Sequence, residues 1–177
     1  MNPSPPVAMS NISSNLAEVR RHIQQIAVRS GRSPDDITLV AVSKTRSLAD
    51  VKQALEAGQK DFGENTVQDA LSKIPDLETT DSVWHFIGHL QSKKARQVAA
   101  HFQWIHSVDS LKLARKLSSA MSSTAANRNL NCLIQVNVSE EDSKFGLKTD
   151  RVLPFMEELL KQDLPGLDWR GLMTIGV

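Results

Sequence analysis

One cysteine and no tyrosine occur among 177 residues. The lone thiol, Cys132, excludes an intrachain disulfide framework and suits a reducing compartment. Lying in Cys132-Leu133-Ile134, it reads as a small buried hydrophobe. Long apolar runs are missing too: the longest, such as Ile37 to Val42, are far too short to span a bilayer. Neither sign of charge is in excess, since 21 Lys+Arg against 20 Asp+Glu leave +1. That balance gives no electrostatic footprint for a nucleic acid or a membrane surface. There is no Walker-type phosphate loop, no dinucleotide G-x-G-x-x-G and no G-x-S-x-G nucleophile elbow.

What is present is an ordinary globular composition, 40% hydrophobic and 23% charged, of a length that suits one domain. Met1 to Ile12 are rich in Pro, Ser and Asn and lack the features of a signal or transit peptide. They are expected to form a disordered tail on a cytoplasmic protein, with the folded domain over residues 13–177.

Strand and helix patterns alternate from there. A first helix is predicted from Asn15, which has capping-box spacing to Glu18, with Leu16, Val19, Ile23 and Ile26 on one face. Gly31 and Pro34 end it. Strands are predicted at Ile37–Val42, Lys60–Glu64, Ser82–Gly88, Phe102–Val108, Leu130–Val138 and Trp169–Ile175. Helices are predicted at Leu48–Ala57, Val67–Ile74, Ser92–His101, after Asp109 or Ser110, and at Val152–Lys161. Strands this apolar on both faces need cover on both sides, the condition of a parallel sheet under crossover helices. A doubly wound sheet and a (β/α)8 barrel both satisfy the pattern, and about six strand units fit a barrel two strands short.

Ligands in such folds sit at the carboxyl ends of the strands. Lys44 ends the most apolar strand, and period-two alternation puts Val40, Val42 and Lys44 on one face. In a partly desolvated mouth such an amine has a lowered pKa and is nucleophilic at neutral pH; the plain alternative is a lysine snorkelling to solvent. Asn65, after Gly63-Glu64, either orients a ligand or caps the next helix, and capping is favoured on the residues alone. His85 either faces a ligand or is a hydrogen-bonded core histidine. His85 and His89 would lie ~13 Å apart along a strand, too far to share a metal. Gly88 to Lys94 could bind an anion at a helix start, although a solvated face is the usual meaning of such a stretch. Lys144, in Ser143-Lys144-Phe145-Gly146, is open in the same way.

Several motifs occur here in one order: Val40-Ala-Val-Ser-Lys-Thr, Phe62-Gly-Glu-Asn, Trp84-His-Phe-Ile-Gly-His-Leu-Gln-Ser-Lys-Lys, Gln135-Val-Asn-Val, Ser143-Lys-Phe-Gly and Gly171-Leu-Met-Thr-Ile-Gly. Together they resemble the pyridoxal phosphate (PLP) homeostasis family over Ile37 to Gly176. The resemblance implies a PLP barrel of fold type III, an incomplete (β/α)8 TIM barrel like the alanine racemase N-terminal domain. It implies that Lys44 holds pyridoxal 5'-phosphate as a Schiff base, with Asn65, His85 and Met173 near the cofactor; Val42, on the face of Lys44 by alternation, is expected to join them.

It further implies a monomeric, non-catalytic carrier that passes PLP to dependent apo-enzymes. Racemases resembling this domain use a tyrosine as second base, and this chain has none. Three departures stand out. Thr66 replaces an aromatic, Arg46 replaces a second lysine, and the serine-, methionine- and glycine-rich phosphate segment has no counterpart. The last allows a further expectation, a truncated product with weakened PLP binding.

Overall fold

The computed structural model describes residues 12–124, 128–139, 141 and 144–176. Helix α1 spans Ile12–Arg29, and seven strands follow: β1 (Ala41–Val42), β2 (Asp61–Glu64), β3 (Val83–Phe86), β4 (Trp104–Val108), β5 (Leu130–Asn137), β6 (Leu147–Lys148) and β7 (Leu167–Thr174). Between them run α2 (Leu48–Glu56), α3 (Val67–Leu71), α4 (Ala95–His101), α5 (Leu111–Ser122) and α6 (Val152–Leu160). Every strand pair is parallel, in the order β1-β2-β3-β4-β5, with β7 on the far side of β5. This is the βα-repeat order expected of an incomplete TIM barrel. The six predicted strands are all present, most of them shortened at one or both ends.

The core lies between sheet and helices. Phe62, Trp84, Phe86, Ile105, Cys132 and Ile134 point outward from the strands onto Val51, Val67, Val98, Leu113 and Leu117 of the helices. Phe86 meets Phe102 edge to face at 5.4 Å between centroids, an arrangement worth ~1 kcal/mol beyond its buried area. The opposite, inner face carries Asp61, Gly63, His85, Trp104 and Gln135.

Several expectations need correction. The tail falls outside the described residues except for Ile12, which opens α1 instead. Ile12 packs against the core, so the helix begins before Asn15 rather than at an Asn15 cap. The predicted apolar face of α1 is only partly used, for Val19 and Ile26 remain exposed. The helix is anchored by Arg20, which donates to the Ala57 carbonyl at 2.8 Å and to Gln59 Oε1 at 3.0 Å. Strand β1 has two paired residues, not six. Upstream of it the Gln59 amide bridges the Leu39 and Asp61 carbonyls at 2.7 Å each, doing with a side chain what a ladder bond would do.

Two features had no counterpart in the sequence reading. Short β6 pairs with Val136 and Asn137. Val136 also faces Thr174 of β7, so β6 must lie on the β4 side of β5, beyond the end of β4. In β7 the pairing jumps from Cys132↔Trp169 to Leu133↔Gly171, which leaves Arg170 as an extra residue. Gly171 there has φ +147°, open to glycine and rarely to other residues.

Candidate functional site

Lys44 follows β1 directly. Alternation holds across this end: Ser43 is buried, whereas Val42 and Lys44 open onto the inner face. Lys44 is exposed, as in the alternative of a lysine reaching solvent and not in a partly desolvated mouth. The cause is architectural, since among the described residues β1 and β7 each pair with a single neighbour and the sheet does not close around the lysine.

The residues on either side of Lys44 are fixed from beneath. Ser43 donates its backbone N–H to the Gly63 carbonyl at 3.0 Å and its hydroxyl to Glu64 Oε1 at 2.6 Å. Its carbonyl accepts from Lys73 Nζ at 2.8 Å. Thr45 donates its N–H to Asp69 Oδ2 at 3.2 Å and holds φ at +62°, rare for a β-branched residue. Glu64 and Lys73 form a buried ion pair at 2.7 Å, and Asp69 stands 3.5 Å from the same ammonium. Burial pushes the Glu64 carboxyl above its usual range, against the pull of Lys73 and Ser43.

Asn65 stands beside Lys44 at the end of β2, half-buried. It does not cap α3. That role belongs to Thr66, whose Oγ1 accepts the Asp69 N–H at 3.1 Å, so the residue that departs from the family pattern does a structural job and Asn65 keeps its amide. The Asn65 carbonyl is backed by Gly88, where a Cβ would stand 2.0 Å from that oxygen. Gly88 thus supports the β2 end by close packing. In the same stretch Lys94 donates to Gln68 at 2.9 Å, and Lys93 is exposed.

His85 lies deeper on the inner face, in register with Gly63 and through it with Val42, two residues short of Lys44. Both ring nitrogens are taken: Nε2 meets Asp61 Oδ1 at 2.9 Å, and Nδ1 meets His106 Nε2 at 2.9 Å. Trp104 stacks on its ring at 5.5 Å. The core-histidine alternative therefore describes it as it stands. Burial lowers the pKa of His85, opposed by Asp61. Burial, with His85 adding to it, takes His106 down to about 4. His89 turns elsewhere and stacks on Phe145 at 3.8 Å. No group of three or more His, Cys, Asp or Glu among the described residues could hold a metal.

Met173 is half-buried on β7, opposite Gln135. The extra residue at Arg170 puts it there: without the bulge, period-two alternation from Trp169 would turn Met173 to the outer face. Lys44 and Met173 stand on the two edge strands of the sheet. Gln135 and Asn137 tie down the loop between β5 and β6 by donating to the carbonyls of Phe145, Glu141 and Lys144. Lys144 pairs with Glu141 at 2.9 Å, and Ser143 lies outside the described residues. Cys132 is buried as expected, its thiol pushed up to about 12 by burial and by nearby Asp168.

Sequence reasoning missed Asp61, Asp69, Lys73 and His106. His106 alone had a usable signal, its alternation with Trp104 in an expected strand; the other three are brought in by tertiary packing.

The sequence profile of the alanine racemase N-terminal domain matches residues 10–177. The pyridoxal phosphate homeostasis protein of Escherichia coli strain K12 is 46% identical over 172 residues, covering 94% of this chain and 71% of that protein. Its counterpart in Pseudomonas aeruginosa is 48% identical over 167 residues, with the same coverages. The solved structure of PipY from Synechococcus elongatus PCC7942 with PLP bound superposes with a TM-score of 0.76 at 34% identity, over 93% of this chain and 70% of that one. The fold, its strand order and these matches agree that the chain belongs to the pyridoxal phosphate homeostasis protein family, built on the alanine racemase N-terminal domain.

Proposed function

We propose that this chain binds pyridoxal 5'-phosphate at Lys44 and takes part in PLP homeostasis as a carrier rather than as a catalyst. The observation that carries the reading is the presentation of Lys44: an exposed amine at a strand's carboxyl end, between Ser43, held by the buried Glu64 and Lys73, and Thr45, held by Asp69. The donor set fits the cofactor. PLP supplies an aldehyde able to condense with a free primary amine, and Lys44 is such an amine on an open inner face. Solvent reaches the side chain while its backbone stays fixed, so the amine can approach a carbonyl without reordering the strand. Val42 forms the apolar wall beneath Lys44, and Asn65 offers an amide beside it. Met173 stands on the other edge strand, and His85 supports the floor through Asp61 and His106.

PipY, solved with PLP bound, and relatives named for PLP homeostasis support the cofactor and the role. The carrier reading extends to PLP-dependent apo-enzymes as recipients and to a monomer as the working form. No helix among the described residues is long and apolar enough to cross a membrane.

Borohydride reduction of the chain mixed with PLP, followed by peptide mass mapping beside Lys44→Ala, tests the reading. A reduced pyridoxyl adduct concentrated on Lys44 and missing from the variant supports it. Adducts spread evenly over exposed lysines, unchanged in Lys44→Ala, overturn it.

A further inference from the structure

Lys73 is an unusual residue to bury. Its side chain and that of Glu64 are 4% and 0% exposed, and ions taken out of water are tolerated only when closely paired. The buried ammonium has three N–H donors to satisfy, and besides Glu64 it donates to the Ser43 carbonyl at 2.8 Å. Glu64 reaches the same residue through the Ser43 hydroxyl. Asp69, in contact with the Lys73 ammonium, takes the Thr45 N–H. All three charged groups thus converge on the residues immediately before and after Lys44, and no hydrogen bond among the described residues involves Lys44's own amine. Arg46 closes the turn by donating its N–H to the Ser43 carbonyl at 3.0 Å.

We propose that Lys73, Glu64 and Asp69 form a clamp of positioning residues for Lys44, fixing the backbone at Ser43 and Thr45 so that the amine is presented from a rigid strand end. The proposal rests on the reading of Lys44 as the PLP lysine. The clamp belongs to β2 and the segment after it, so the geometry of one βα unit sets the reactive residue of its neighbour. It also accounts for Thr45: the Asp69 carboxylate holds its N–H and keeps a β-branched residue at positive φ.

The test compares the wild type with Asp69→Ala, Asp69→Asn and the double variant Glu64→Gln/Lys73→Met, each checked for a cooperative melt. The double variant removes both buried charges together, so it leaves no unpaired ion to unfold the protein. The first readout needs no cofactor: hydrogen exchange of the Thr45 amide. Exchange is expected to rise about three- to tenfold in Asp69→Ala, the effect of losing one hydrogen bond. Asp69→Asn, which keeps an acceptor oxygen, restores most of the protection.

The second readout is the rate at which PLP and borohydride label Lys44, with exposed Lys93 of the same molecule as internal reference. Labelling of Lys44 relative to Lys93 is expected to slow about tenfold in Asp69→Ala and in the double variant, as misplacement of a reacting group does. A purely structural role would leave that ratio unchanged. Folded variants that exchange and label like the wild type overturn the clamp. If the wild type itself does not label at Lys44, the PLP reading fails first, and the clamp as a positioning device for that lysine fails with it whatever the exchange shows. If the wild type labels and the ratio does not move, only the clamp fails.

Discussion

His85 Nδ1 and His106 Nε2 face each other at 2.9 Å, so only one of the two nitrogens can carry the proton between them. Asp61 decides which. Its carboxylate oxygen, 2.9 Å from His85 Nε2, needs an N–H there. Neutral His85 then accepts at Nδ1 from the N–H of His106. The chain Asp61–His85–His106 crosses β2, β3 and β4 on the inner face, and burial favours the neutral form of both imidazoles, against the pull of Asp61 on His85.

This arrangement makes stability depend on pH with a definite sign. Both histidines titrate lower in the folded protein than the usual value near 6.5, His106 at about 4. Between those limits the unfolded chain binds more protons than the folded one. The histidines' contribution is therefore complete above pH ~6.5 and is lost as pH falls toward ~4. Each proton contributes a slope of about 1.4 kcal/mol per pH unit. Urea midpoints measured from pH 7 to 4.5 should fall less steeply in His106→Asn than in the wild type. Burial raises Glu64 and Asp109, whose effect runs the other way, but both groups are common to the two proteins and cancel in the comparison. Parallel pH curves would show that His106 takes up no proton on unfolding.

Gly88→Ala tests the support behind Asn65. An added Cβ would meet the Asn65 carbonyl oxygen at 2.0 Å and its carbonyl carbon at 2.7 Å, both of them backbone atoms that cannot turn aside. The expected cost is about 2–3 kcal/mol of stability, as for other overpacked sites. The β2 end must shift, so labelling of Lys44 by PLP should weaken as well. A variant as stable as the wild type would mean that the β2 and β3 ends are looser than their packing indicates.

The strands were legible because their apolar runs and period-two alternation are local signals, which is why His85 was correctly placed on a strand and Cys132 inside the core. Boundaries and the site followed other rules. Asn65 and Thr66 are both good cap residues, and a register difference of one residue gave the cap to Thr66. The bulge at Arg170 leaves no pattern in the sequence, yet it decides which way Met173 points. The partners of Lys73 lie 9 and 30 residues away in the chain, at Glu64 and Ser43, where no spacing rule reaches. Lys44 itself was identified by a motif, and its exposure follows from what does and does not pair with β1.

Gly146 ends the connection between β5 and β6, directly before Leu147. Its φ is +116°, and a Cβ there would stand 2.9 Å from the Asn137 nitrogen. Gly146→Ala should cost about 1–3 kcal/mol in backbone strain. The loop can relieve that strain by giving up the Asn137 and Gln135 bonds to its carbonyls, and with them the stack of Phe145 on His89. Tryptic cleavage after Lys144 should then quicken while the melting of the sheet changes little. Cleavage at the wild-type rate would show that the loop does not depend on this glycine.

Cys132 reports on how the sheet opens. It lies in β5, in register with Ile105 of β4 on one side and Trp169 of β7 on the other, and its thiol is buried among the core residues. A thiol pushed up to about 12 is almost wholly protonated at pH 8, so attack by a disulfide reagent requires the core to open first. Two routes of opening are available. If β7, paired on one side only, peels away alone, the outer-facing Cys132 side chain stays in the core beneath the helix layer, and labelling remains slow. If β5 must leave the sheet, labelling follows global unfolding and its rate rises with urea in step with the main transition. The packing of Cys132 predicts the second behaviour: one slow labelling phase with the urea dependence of global unfolding. A fast phase insensitive to urea would show that the β5–β7 half opens independently, and that the edge strand carrying Met173 is not stably attached.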